Sequence, residues 1–442
     1  MPNAMTKPAH APFLALPLAL SAMACSPAPG SSDAPPSALE PGAYSLPEGA
    51  ARHDELLADL DQQIEALEAE AEAKPNSYMV LERLANAHAR RGRLTGEVED
   101  YTAAEAALAE AFARAGEGAG PFLSQAGVDF SLHRFAAAEA ALDQAEERIL
   151  IDDPTWAAIH GLRGDLRLQG GDVEQALELI SQAEATYASP TTMSRLAQVR
   201  WRGGDYASAE AGYLESLARY HGPDASVRAW AHLQLGILDL ERDDDEAALA
   251  DFMAANAELS GYYLVEEHIA EVWVRLGRTE EALGLYLDVI DRTQSPEFMD
   301  AVASLHLEHG DPADAQPWIE QAAAAYEAQL AAHPDLAVGH ALGHYIDFGP
   351  SARAVELAEA NFALRPNGDA RADRVRAYLA DGRLDAALED AEALAQGSWR
   401  TANTLGAVVE ARVAAGLEGE PATQAVLDEL CGLAPKAEPC SE

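Results

Sequence analysis

Along most of the chain, apolar residues recur every three or four positions, in stretches of about 12–15 residues, the spacing of a helix with one buried stripe. Between neighbouring stretches stands a small or polar residue: Gly92, His133, Gly171, Gly204, Asp243, Gly277, Gly310, Gly349, Gly382 and Gly416. The gaps between these residues are 41, 38, 33, 39, 34, 33, 39, 33 and 34. Several equal 33 or 34, and the others add a few loop residues. Pro154, Pro190, Pro296, Pro334 and Pro366 close several of the units. A fixed period of this length predicts a stack of helix pairs, each unable to bury its own apolar face and each covered by the next. Ahead of the first unit, Leu57, Leu60, Ile64 and Leu67 keep helical spacing and predict a capping helix over 50–74, a short coiled-coil segment being the other reading.

The clearest unit runs Ile269-Ala270, Trp273, Gly277, Ala282, Tyr286 and ends near Pro296. A second runs Leu196-Ala197, Trp201, Gly204, Tyr206, Ala209, Tyr213, and a third has Leu235-Gly236, Ala248, Phe252 and Ala255. In this pattern the chain resembles the tetratricopeptide repeat (TPR) family, with small residues where helices cross and an aromatic in the second helix. The resemblance implies an all-α solenoid of about ten antiparallel hairpins wound into a right-handed superhelix. It spans residues 75–396, with a degenerate repeat or cap at 397–430 and a tail at 431–442. Three departures stand out. Residues 93–99 look like an insertion before Tyr101, Ala358 stands where an aromatic is usual, and Pro317 lies in the early turns of a second helix, where a kink is expected.

The first 49 residues break the period. Lys7 precedes an apolar run from Ala11 to Leu20, and small residues lead to Ala24-Cys25. Residues 1–25 therefore read as a signal peptide. A cysteine after Ala24 resembles the lipobox of bacterial lipoproteins, which implies lipidation of Cys25; plain secretion is the alternative, since Ala22 replaces the usual aliphatic residue. Residues 26–49, rich in Pro, Ser and Ala, read as a disordered tether. Ser26 after the cysteine favours the outer membrane or periplasm over the inner membrane. If Cys25 is acylated, Cys431 and Cys440 are left either as a disulfide or as two free thiols.

The 442 residues hold 74 acidic against 30 basic side chains, a formal charge of −44. That balance excludes a nucleic-acid partner, which needs Lys and Arg to displace counterions from phosphates, and any membrane contact beyond the anchor on Cys25. It favours a basic protein or peptide partner.

Candidate chemistry is sparse. His340 and His344, four apart on one predicted helix, are the basis for a metal-site alternative, but the intervening sequence lacks the glutamate of a zinc-protease motif. No cofactor-binding fingerprint is present, and no enzyme is expected. In the TPR family the first helix of each hairpin lines a concave groove. Aligned on Ala209 and Ala282, that places Gln198, Trp201, Glu267, Glu271 and Arg275 on the groove wall. The expected function is a noncatalytic interaction scaffold of the bacterial cell envelope, with a structural subunit of an envelope or secretion assembly as a further alternative.

Overall fold

The computed structural model describes residues 39–116, 118–147, 151–437 and 440. Cys25, the signal segment and most of the expected tether lie outside these residues. A capping helix α1 (His53–Ala73) is followed by ten hairpins: α2–α3 (Tyr78–Thr95, Val98–Arg114), α4–α5 (Phe122–Ser131, Phe135–Glu146), α6–α7 (Asp153–Gln169, Val173–Thr186), α8–α9 (Pro190–Arg202, Tyr206–Arg219), α10–α11 (Ala225–Leu240, Asp245–Glu258), α12–α13 (Tyr263–Arg275, Thr279–Thr293), α14–α15 (Pro296–His309, Pro312–Ala332), α16–α17 (Pro334–Asp347, Ser351–Leu364), α18–α19 (Gly368–Ala380, Leu384–Gln396) and α20–α21 (Ala402–Ala414, Pro421–Leu433). The region expected to be degenerate thus forms a full tenth hairpin, and α15 continues through Pro317.

The turns repeat one piece of chemistry. At seven of the residues marked by the period the backbone is left-handed: His133, Gly171, Gly204, Asp243, Gly277, Gly382 and Gly416, with φ between 54° and 86°. The next residue in each case donates its N–H to the carbonyl five positions back, at 2.7–3.0 Å, which satisfies an orphaned helix-end acceptor. At Asp172, Asp205 and Asp244 that same residue then accepts from the third N–H of the following helix. One residue ends a helix and its neighbour starts another. Gly92, Gly310 and Gly349 are the exceptions, none of them left-handed: α2 runs through Gly92 to Thr95 and ends at Gly96, φ 77°, so the insertion at 93–99 lengthens the helix and moves the turn.

Within each hairpin, alanines at the crossings let the backbones approach. Ala209, Ala270 and Ala282 are fully buried, and Tyr213, Phe252 and Tyr286 fill the gaps between units. Leu60, Ile64 and Leu67 of α1 pack on Leu81 and Leu84 of α2, covering the first hairpin.

The solenoid also closes on itself. His133 Nδ1 is 3.0 Å from the Asp335 carbonyl oxygen, Asn367 reaches Gln169, the Ala402 N–H donates to Tyr206 Oη, and Lys436 pairs with Asp244. A Cβ on Gly171 would stand 2.5 Å from Pro366 O, and the Arg400 N–H donates to Arg202 O. All these partners lie about 200 residues apart, six hairpins at 34 residues each. One superhelical turn therefore takes six hairpins, and the second turn rests directly on the first.

An extended arm continues this stacking ahead of α1. Residues 39–49, read from sequence as the end of a free tether, lie against the body. The Gly42 N–H donates to Glu280 O, Tyr44 packs on Trp273 and bonds Asp288, and Asn256 Nδ2 donates to Pro47 O. Strand β1 (Ala51–Arg52) pairs in parallel with β2 (Leu259–Ser260).

Candidate functional site

Of the expected groove residues, Trp201, Glu267 and Glu271 are buried and Gln198 and Arg275 are half-buried; Trp201 stands at the seam between the two turns. Trp201 is fully buried, which corrects its placement on an open concave wall. Its Nε1 donates to Glu241 Oε2 at 2.8 Å, and Tyr206 Oη donates to the same oxygen. Arg202 lies over the Trp201 ring at 4.4 Å and near Trp399 at 5.7 Å, and its guanidinium is 3.6 Å from Glu241 and 3.7 Å from Asp369. From Asp369 the network runs to Asn403, then to Arg376, which bonds Glu410. The physical reason for the correction is the tight coil: a side chain that would face an empty groove in an open solenoid meets the next turn here. Burial dominates the electrostatics. It raises Glu241 to about 7 despite Arg202 alongside and the two donors, and it raises Asp369 as well.

Glu267 and Glu271 are also sealed, at 2 % and 5 % exposure. They flank His268 on α12, whose Nδ1 lies 2.6 Å from Glu267 and 3.5 Å from Glu271. Burial alone would lower the imidazole, but the two carboxylates outweigh it and hold the ring protonated, while burial raises Glu267. These three side chains bring their ligand atoms within 4.8 Å of one another. As it stands the arrangement is a buried ion triad. Arg275 is half-buried and bound by Asp243 and Asp245, and Gln198 is half-buried on α8.

His340 and His344 do not converge on a shared ligand position. Each reaches back one hairpin to its own carboxylate on α14: His340 Nδ1 to Glu297 at 3.3 Å and His344 Nδ1 to Asp300 at 2.7 Å. They form two rungs between neighbouring hairpins. Cys431 and Cys440 are joined as a disulfide that closes the end of the tail, with Cα atoms 5.2 Å apart.

The feature that sequence reasoning did not assign is a cleft of about 440 Å³ between the turns. Its walls come from the end of α2 and the start of α3 (Arg93, Thr95, Glu97, Glu99, Tyr101), from Ser131 at the end of α4 and His133 beyond it, from Tyr263 of α12, and from α14 to α16 (Glu297, Gln329, His340). The signal for it was the irregular gap around 93–99, the lengthening that carries Arg93 to the cleft. Burial raises the Tyr101 phenol, and its Oη has no hydrogen-bond partner of normal geometry.

No protein-family model and no curated protein matches the chain. Among solved structures it is similar to yeast Tom70, at 14% identity over 84% of this chain and 89% of that one, with a TM-score of 0.42. It is also similar to a tetratricopeptide repeat protein from Parabacteroides merdae, at 15% identity over 56% of this chain and 94% of that one, TM-score 0.34. Human IFIT1, solved as a dimer with PPP-AAAA, has 13% identity over 85% and 95% of the two chains, TM-score 0.38. In fold, on the evidence of its own ten consecutive hairpins, the chain is an all-α solenoid of TPR-like helix pairs.

Proposed function

We propose that the protein is a noncatalytic protein-interaction scaffold held at the bacterial cell envelope by a lipid on Cys25. The observation that carries the scaffold reading is the closed double coil. It spends the facing edges of its hairpins on contacts between turns and offers partners an acidic outer face. On that face, Leu177 of α7, Tyr187 at its end and Leu214 of α9 are large, exposed and set on adjacent hairpins. An apolar anchor with charged surroundings suits a partner with a basic rim.

The envelope location rests on the apolar run and the small residues before Cys25. The 14 residues from Cys25 to Leu39 could span at most about 50 Å, so the body would stay close to the membrane.

Two experiments test this. The full chain should partition with membranes, and Cys25→Ser should release it; equal partitioning refutes the anchor. The soluble body should retain a defined protein from envelope extract, and Tyr187→Ala with Leu214→Ala should lose it while helicity is unchanged. Full retention by the double variant refutes the outer-face surface.

A further inference from the structure

We propose that the cleft between the turns is a binding site for a small zwitterion of the free α-amino-acid class, its carboxylate held by Arg93 and its ammonium group facing Glu97 and Glu99. The inference rests on the cleft alone and is independent of the scaffold reading.

Arg93 is the first observation. In a chain with such an acid excess, arginines are readily matched: Arg90 is bound by Asp224, and Arg91 by Asp61 and Asp100. Arg93, on the same helix, is in no ion pair and no hydrogen bond among the described residues. Its side chain is exposed, and the cleft is what it lines. Protein crowds around it, and the lost hydration pulls the guanidinium below its usual range. This cation faces the cleft without a carboxylate in salt-bridge contact, and a ligand carboxylate accepting two parallel N–H bonds would supply the partner.

Tyr101 is the second and independent observation. It is 6 % exposed, lines the same cleft beside Ser131, and its buried hydroxyl makes no hydrogen bond of normal geometry. An oxyanion on Arg93 would give it an acceptor, and an unmatched buried hydroxyl is rare enough to require an account.

The other charges select the ligand. Glu97, Glu99 and Glu297 also line the cleft. Glu297 is engaged by His340 and Ser295, whereas Glu97 and Glu99 are exposed and in no ion pair among the described residues. Glu99 and Asp100 help to raise Glu97 after burial has done so, a sign of excess negative charge. A dianion would meet this repulsion with one guanidinium to offset it. A simple cation would leave Arg93 unmatched and be repelled by it. A molecule with both charges satisfies both walls. The volume falls within the roughly 300–1,000 Å³ of small-molecule sites, and leaves room for bridging water around an amino acid.

The test uses the full chain in detergent. The twenty L-amino acids are screened singly by thermal shift, and any hit is titrated by calorimetry. At least one should bind. Its N-acetyl and carboxamide analogues, each missing one charge, should bind at least about tenfold more weakly, as should Arg93→Gln with the parent ligand. Tyr101→Phe should weaken binding several-fold. Since Arg93 makes no bond within the fold, Arg93→Gln should melt like the wild type; should it unfold, Glu99→Gln provides the second variant and should weaken the parent but not its N-acetyl analogue. The proposal is overturned if no amino acid binds, if Arg93→Gln binds as tightly as the wild type, or if inorganic phosphate binds as tightly as the best amino acid.

Discussion

Glu241→Gln should make the protein more stable at alkaline pH and leave it nearly unchanged near pH 4. Glu241 is buried in the seam, where it accepts from Trp201 and Tyr206. Burial, the dominant influence, raises its carboxyl from 4.5 to about 7. A folded-state value above the unfolded one means that the protonated acid is favoured in the fold. The associated stability is fully present below about 4.5 and is lost as pH rises through about 7. At 1.36 kcal/mol per pH unit, that gap is worth roughly 3 kcal/mol. Glutamine keeps an oxygen for both donors and never ionises, so the variant should escape the loss. For a chain of this size, where one kcal/mol corresponds to roughly 1–2 °C, the melting temperatures should agree near pH 4 and differ by about 3–6 °C at pH 8. Circular dichroism melts at half-unit pH steps measure this. Other raised carboxylates, such as Asp239 at about 6, and the general acid repulsion act in the same direction but equally in both proteins, so they cancel in the difference. Parallel curves for the two proteins would refute the assignment of a buried, destabilising charge to Glu241.

Gly277→Ala should cost about 1 kcal/mol, read as a lower midpoint in denaturant: the site has φ 77° and open space for a methyl group, so the cost is backbone strain alone. Tyr44→Ala should free the arm from Trp273 and Asp288, giving faster proteolysis of residues 39–52 and a change in tryptophan emission without a change in helicity. Raised salt should increase the melting temperature by screening the −44 charge; a flat response would remove self-repulsion as a significant contribution. Reduction of Cys431–Cys440 should loosen the tail and, with it, the tie from Lys436 to Asp244, seen as faster amide exchange after Leu433.

How far sequence reading could reach depended on whether the signal was local. The left-handed turns at His133 and Asp243 were located by period alone, although neither is glycine, because helix length and turn chemistry are set by neighbours in sequence. The cap at Leu60, Ile64 and Leu67 was legible for the same reason. Trp201 was misplaced because tryptophan, glutamate and arginine serve an open groove and a sealed seam equally well. What decides between the two is the pitch of the coil, which is accumulated from small rotations over six units. The arm at 39–49 carried a weak signal in Leu39, Tyr44 and Leu46, overshadowed by its prolines. Arg93 and Tyr101 were flagged only as a break in spacing, since their common cleft draws its far wall from residues about 200 positions away.

A solenoid in which each unit meets only its neighbours can gain or lose a unit at little cost and can unfold piecemeal. Six hairpins per turn with the turns in contact removes that freedom. Deleting one hairpin between α8 and α20 would shift the second turn by a whole unit: Tyr206 would no longer face Ala402, nor Arg202 face Asp369, and Gly171 would lose the carbonyl it was shaped to receive. The number of repeats is therefore part of the fold's specification, as register is for a strand in a sheet. The contacts that impose it join residues far apart in the chain, so loop closure must precede them and folding should be slower and more nearly all-or-none than in an open array of equal length.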